Sequence, residues 1–436
     1  MTEVWVVLIV ALLGLILAGV WIGVALGLTG VILLVAFGGS ASLALMVSAT
    51  WNMLTKFTIS AVALFIILGG CIMTFGFART TYDSLGPLLQ RLPGGLLHSN
   101  VVSNALMGAV SGSAAACASA LGRIAYPELV SRGYDRVTTA ASLAGSSTLG
   151  IIIPPSIPLI LIGSMQGVSV AAMFAAVLVP GLIATALFMV LTFTIAIRNP
   201  TLVPQTPKED RVPLWVACKK LLGIWQISIV MLVVLGTIYL GLATPTEAAG
   251  LAVVVTLILA VCMRTFTWRA FLQSLYDSAQ TFGIITLLFI GAVVLSIAVS
   301  MLGLPKALIG IVASSGLPIW ATLAILYVVY LVLGMFFDNI SFLLMTLPFV
   351  YPLVLSLGYD PLWFGVMIVM VSMIGMVTPP VGLNLYIIVG ISKGEVPLED
   401  LARACVPYWL VVTALLAFIC VVPEVCLWLP RLLFGS

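Results

Sequence analysis

Apolar runs long enough to cross a lipid bilayer recur from one end of this chain to the other, and nothing else narrows its possible folds so far. They predict helices near Val4 to Val20, Trp21 to Phe37, Phe57 to Phe77, Thr138 to Gly163 and Ala171 to Ile197. A second set follows at Leu221 to Leu240, Ala248 to Met263, Phe282 to Met301, Leu362 to Gly390 and Pro407 to Val422. A span needs about 20 mainly apolar residues, so 436 residues have room for ten to twelve passes. Only 7% of the residues are Asp, Glu, Lys or Arg, against about 25% in soluble domains. A water-facing surface cannot be built from that composition. The chain therefore reads as an all-α polytopic membrane protein, Met1 to Phe37 included, since no basic segment of the kind that opens a secretory signal precedes the first run.

Two further apolar stretches, Leu96 to Leu121 and Leu317 to Leu355, are interrupted by SGSA (111 to 114) and FFDN (336 to 339). Small or polar residues in mid-run predict re-entrant hairpins with those residues at the tips. The halves of the chain also repeat. YPELVSRGYD (126 to 135) precedes GIIIPPS (150 to 156), and YPLVLSLGYD (351 to 360) precedes GMVTPPV (375 to 381). Tyr126/Tyr351, Pro127/Pro352, Gly133/Gly358, Tyr134/Tyr359, Asp135/Asp360, Gly150/Gly375, Pro154/Pro379 and Pro155/Pro380 all share one offset, 225, which also lays one tip on the other.

Five passes plus a hairpin per half is an odd number, so the second half is expected to be inverted. Fourteen Lys and Arg residues then collect on one face and three, Lys56, Lys306 and Arg431, on the other. The positive-inside rule makes the richer face cytoplasmic and both termini periplasmic. The expected organisation is a first repeat over residues 1–198, a cytoplasmic linker over 199–220 and a second repeat over 221–436, because Arg198 to Lys220 is the one hydrophilic interval.

Inverted repeats with a hairpin and a Gly/Pro-broken helix in matching positions point to the midplane site of a secondary transporter. In GSSTLGIIIPPS (145 to 156) and GMVTPP (375 to 380), the paired prolines remove N–H donors and free carbonyls for a cation, water or a neighbour. Half-helix N-termini at the same place favour an anion. Ser111, Gly112 and Ser113 are candidates for ligand contact or for small-residue helix packing. Ser146, Ser147, Thr148 and Thr378 either face the site or bond back to their own helix. Asp338 and Asn339 stand in an apolar setting where an acid is costly unless it meets a cation or a proton. Asn384 would close the second site or join helices. Asp135 and Asp360 read as turn or capping residues, His98 as structural, and Lys56 as a snorkelling anchor. The seven cysteines read as small core residues. A net charge of +3 without a basic run argues against a nucleic-acid partner. No nucleophile, P-loop or metal motif suggests an enzyme.

SGSAAA (111 to 116), ELVSRGYD (128 to 135), GIIIPPSIP (150 to 158), FFDN (336 to 339), GYDPLWFGV (358 to 366) and TPPVGLNLY (378 to 386) resemble the large membrane (M) subunit of tripartite ATP-independent periplasmic (TRAP) transporters. Ala63, Ala114, Cys117 and Met373 depart from that pattern. The resemblance implies an elevator-type carrier of the inner membrane, driven by sodium as coupling ion with no other cofactor. It also implies a small organic anion as cargo, a small four-helix membrane subunit and a periplasmic solute-binding protein. The family's cation sites map onto Ser111, Gly112, Ser113, Gly150, Pro154, Asp338, Gly375, Thr378 and Pro379. Ser146, Ser147, Thr148, Asn339 and Asn384 are the residues expected to meet the anion. Proton coupling through Asp338, or a carrier working without a binding protein, stands as the alternative.

Overall fold

The structure is a computed structural model, and it describes residues 2–204 and 212–435. Among the described residues it is helical throughout, with no strand. Among the described residues nine helices are long and apolar enough to cross a membrane: Phe57–Thr74, Arg136–Gln166, Val170–Arg198, Leu214–Tyr239, Pro245–Cys262, Trp268–Met301, Ile319–Phe336, Asn339–Ser356 and Leu398–Val421. Shorter apolar helices at Thr2–Leu17, Ile22–Gly38 and Pro361–Gly375 complete the set that the hydrophobic runs predicted.

Both interrupted stretches turn back at the expected points. Leu96–Ser111 and Ala114–Ser131 meet at residues 112–113, and Ile319–Phe336 and Asn339–Ser356 meet at residues 337–338. The repeat carries through to the backbone. The two outgoing hairpin helices are each 18 residues long and start 225 residues apart. Gly133 and Gly358 both take left-handed φ, 83° and 84°, before Asp135 and Asp360. Each Asp caps the next helix, accepting from the Thr138 and Leu362 amides respectively. The peptide bonds Pro154–Pro155 and Pro379–Pro380 are both cis.

Several features differ from the sequence reading. Ser40–Leu54, Phe77–Leu89, Leu304–Ser314 and Glu424–Phe434 are helical too. Phe77–Leu89 and Leu304–Ser314 carry an apolar face of less than membrane length, which no test for spanning runs detects. The helix predicted from Phe282 starts at Trp268, because the polar turns between Gln273 and Gln280 remain helical. The helix predicted from Leu221 starts at Leu214, inside the expected linker, behind Pro213 at its N-cap. The rest of the hydrophilic seam, residues 205–211, lies outside the described residues. Cys218 and Cys262 are exposed and Cys420 is half-buried, whereas Cys71, Cys117, Cys405 and Cys426 are buried as expected. Lys56 does not simply reach for the interface: its Nζ donates to the Ser164 carbonyl at 2.8 Å and so ties off the end of the first broken helix.

Glycine sets how closely these helices approach. A Cβ on Gly23 or Gly30 would fall 2.8–2.9 Å from the backbone of Leu287 or Leu295, so Ile22–Gly38 and Trp268–Met301 touch almost backbone to backbone. Gly108 stands in the same relation to Gly150 (2.7 Å), and Gly375 to Gly334 (2.7 Å). In each half, then, the incoming hairpin helix lies directly against the break of the broken helix.

Candidate functional site

The first broken helix comprises Arg136–Ser147, Leu149–Ile152 and Ile157–Gln166, and the second Pro361–Gly375 and Leu383–Ile391. Their breaks are held by the hairpin tips in the same way. Ile157 N–H donates to the Gly112 carbonyl (3.5 Å), and Val381 and Gly382 N–H donate to the Met335 carbonyl (3.1 and 3.3 Å). Ser156 Oγ closes the first break further by donating to the Ile151 carbonyl at 2.6 Å. Gly112 is required at its position, since its φ is +62° and a Cβ would strike the Pro155 carbonyl at 2.9 Å.

At each tip the residue before the outgoing helix is its N-cap. Ser113 accepts from the Ala116 amide, and Asp338 accepts from the Ile340 and Ser341 amides at 3.1 and 3.2 Å and from the Ser341 hydroxyl. The first amides of both outgoing helices have no carbonyl in a preceding turn to bond. The caps already take up the Ala116, Ile340 and Ser341 amides, which leaves the Ala114, Ala115 and Asn339 amides to meet an anion.

Both tips open on one cavity of about 290 Å³. Ser111, Gly112 and Ser113 line it from the first hairpin, Asn339 and Ile340 from the second, and Ile151, Ile157 and Pro158 from the first broken helix. The opposite wall is Gly69 and Gly70 of Phe57–Thr74 together with Ser274, Asp277, Ser278 and Thr281 of Trp268–Met301. Gly70 is what lets the two wall helices meet, since a Cβ there would lie 2.9 Å from both Ser274 Oγ and Ser278 Oγ. The four polar wall residues were not singled out from the sequence, although their spacing of three and four in an apolar helix puts them on one face. Asp277 is the one charged residue of the lining, and Gln273 Nε2 donates to it at 2.8 Å.

The other expected residues sit behind that cavity. Gly150 lies against the tip, where a Cβ would be 2.9 Å from the Ser113 carbonyl oxygen. Pro154 and Pro379 mark the breaks, with Gly375 against Gly334, and Thr378 Oγ1 donates to the Ile374 carbonyl at 2.6 Å. Ser146, Ser147 and Thr148 are buried and bond back to the Ser142, Ala144 and Gly145 carbonyls. Asn384 Nδ2 donates to Ser147 Oγ at 2.9 Å and so joins the two broken helices, while its Oδ1 has no partner. Asn104 and Asn100 on the incoming hairpin helix donate to Ser146 Oγ (2.7 Å) and Ser142 Oγ (3.3 Å) in the same manner. His98 is buried, with Nε2 2.8 Å from the Pro93 carbonyl. Outside the spans, burial holds the Asp83 carboxyl above the usual carboxylate range, partly offset by Arg79 3.8 Å away.

Residues 9–425 match the family model described as the tripartite ATP-independent periplasmic transporter, DctM component. The C4-dicarboxylate TRAP transporter large permease protein DctM of Vibrio cholerae is 30% identical, with 98% of each chain covered. The sialic acid TRAP transporter large permease protein SiaM of the same organism is 28% identical over 97% of each. Among solved structures, the YdaH transporter of Alcanivorax borkumensis superposes with a TM-score of 0.64 at 13% identity, covering 94% of this chain and 96% of that one.

Proposed function

The chain belongs to the DctM family of TRAP transporter components, and from that membership we propose that it is a large permease subunit that imports a small organic anion with sodium across the bacterial inner membrane. The family is one of permease subunits and not of enzymes. The observation that carries the reading is the single cavity onto which both hairpin tips and the first broken helix open. Freed carbonyls at the breaks suit a cation, and the adjoining helix N-termini suit an anion. The relatives are named for C4-dicarboxylates, sialic acid and isethionate, two carboxylates and a sulfonate, so the cargo is a small organic acid anion, with a carboxylate the first to test.

The two hairpins and the broken helices form the moving body. They are bonded to one another through Asn384 and Ser147, through the Gly112 and Met335 carbonyls, and through Gly122 against Ile388 and Ile391. Phe57–Thr74 and Trp268–Met301 form the fixed wall across which that body slides. The remaining subunits are a small membrane component and a periplasmic binding protein. With the cation-rich face inside, both termini are periplasmic.

The test is uptake of labelled succinate or sialic acid by the complex in proteoliposomes, with its binding protein outside. Uptake is expected to require an inward sodium gradient and to persist when the pH gradient is collapsed. Uptake driven by a pH gradient without sodium would overturn the coupling.

A further inference from the structure

A cleft of about 990 Å³ lies between Ala114–Ser131 and the end of the second broken helix, and the central cavity does not account for it. Two exposed cations line it, Arg123 and Lys393. Neither has a carboxylate within ion-pair distance among the described residues. The single acid in the lining, Glu395, is already engaged by Arg136 at 3.7 Å and by the Tyr126 hydroxyl at 3.4 Å. Arg123 also borders a neighbouring pocket that holds Asp83 and Glu128, but those acids pair with Arg79 and Arg132. The cleft therefore carries uncompensated positive charge.

Its position connects it to the transport site. Ala116 lines the central cavity, and Ser119, Arg123, Tyr126 and Val130 line the cleft. These residues recur at intervals of three and four, so one face of one helix runs from the tip into the cleft. Arg123 is seven residues beyond Ala116, about 10 Å along the axis. Lys393 is one of two non-glycine residues with positive φ among those described, at 53°. It is the left-handed residue that ends the second broken helix, its N–H donating to the Gly390 carbonyl and the Gly394 N–H to the Val389 carbonyl, so that helix end fixes where the lysine stands at the rim of the cleft.

We propose that this cleft is an anion-binding vestibule in which Arg123 and Lys393 hold the carboxylate of the cargo as it leaves the central cavity. The assignment of the exit to this side rests on the transport reading and its cation-rich cytoplasmic face. The charge of the vestibule does not depend on which ion drives transport. An anionic phospholipid phosphate offers the same chemistry, and the experiment separates it from a soluble carboxylate.

A reporter thiol is placed at Ser119 (Ser119→Cys) in the full complex, with exposed Cys218 and Cys262 and half-buried Cys420 changed to serine. Its reaction rates with a sulfonate-bearing and a trimethylammonium-bearing methanethiosulfonate are compared, relative to free cysteine. The anionic reagent is expected to be favoured about tenfold, and millimolar succinate is expected to slow it. Arg123→Gln with Lys393→Gln is expected to return the ratio to the free-thiol value, and Arg123→Lys to preserve it, which guards against misfolding. A ratio indifferent to loss of both cations overturns the proposal. So does the absence of succinate protection, with or without added phosphatidylglycerol slowing the reagent; slowing by the lipid alone would assign the cleft to a headgroup. Failure of sodium-driven uptake would leave these rates unchanged, so the two readings fail separately.

Discussion

The two incoming hairpin helices occupy matching places in the repeat and have opposite surroundings. Leu96–Ser111 is buried at every residue except Val102 and Leu106, and carries Ser99, Asn100, Ser103 and Asn104 on two successive turns. At the offset of 225 those four positions hold Ala324, Ile325, Val328 and Val329, in a helix whose span is only 22% buried. Ile325, Val328 and Val329 are exposed. Where protein surrounds the helix, amides can be bonded, as Asn100 and Asn104 are to Ser142 and Ser146. Where lipid surrounds it, no partner exists and the same positions become apolar. The first hairpin is thus pinned to its own broken helix through polar side-chain pairs, whereas the second meets its broken helix by close backbone contact and apolar packing, its polar pairs being Tyr330 with Thr346 inside the hairpin and Tyr327 with Thr413.

That contrast breaks first at the glycines. Gly375→Ala would drive its methyl into three backbone atoms of Gly334 at 2.7–2.9 Å, and Gly150→Ala would meet the Cys117 sulfur and the Ser113 carbonyl at 2.9 Å. Gly375→Ala is expected to cost about 3 kcal/mol. Gly150→Ala should cost less and be partly relieved by Cys117→Ala, as read by thermal melting in detergent. Equal losses with no relief would mean that the two breaks are supported alike.

A middle-sized effect comes from the ladder. Asn104→Ala removes the partner of Ser146 and is expected to cost about 1–2 kcal/mol, whereas Val329→Ala should change stability by less than about 0.5 kcal/mol. A reversal of that order would refute the polar pinning of the first hairpin. The caps give the smallest difference. Asp338→Ala loses two backbone acceptor contacts and Ser113→Ala one, so the first should exceed the second within a range of about 0.5–2 kcal/mol. Asp338→Asn, which keeps an acceptor oxygen, should recover most of it.

Much of this architecture could be read from residues alone because the repeat is written in chain-breaking residues. The paired prolines, Pro154–Pro155 and Pro379–Pro380, break their helices, whereas the lone repeat prolines Pro127 and Pro352 are carried inside helices, and Gly133 and Gly358 mark turns by taking a left-handed φ. The tip residues were legible for the same reason, as polar interruptions of apolar runs. The cavity's far wall was not. Ser274, Asp277, Ser278 and Thr281 look like ordinary helical polar residues until the fold sets them opposite the tip. Ser147 and Asn384, expected either at the anion or as a tie between helices, bond to each other across the two broken helices, and Ser146 bonds to Asn104 of the first hairpin, contacts that only side-chain packing makes. Short amphipathic helices such as Phe77–Leu89 escaped because their length falls below that of a span.

The central claim is that the hairpins move as a body against Phe57–Thr74. A Cβ on Gly69 would lie 3.4 Å from Ser111 Cβ, close to the spacing of a disulfide. In Gly69→Cys/Ser111→Cys, with exposed Cys218 and Cys262 replaced by serine and Cys117, whose sulfur lies 3.3 Å from Ser111 Oγ, replaced by alanine, the cross-link should form on oxidation, stop uptake, and release it again on reduction. Uptake by the fully cross-linked protein at the rate of its reduced form would contradict the account.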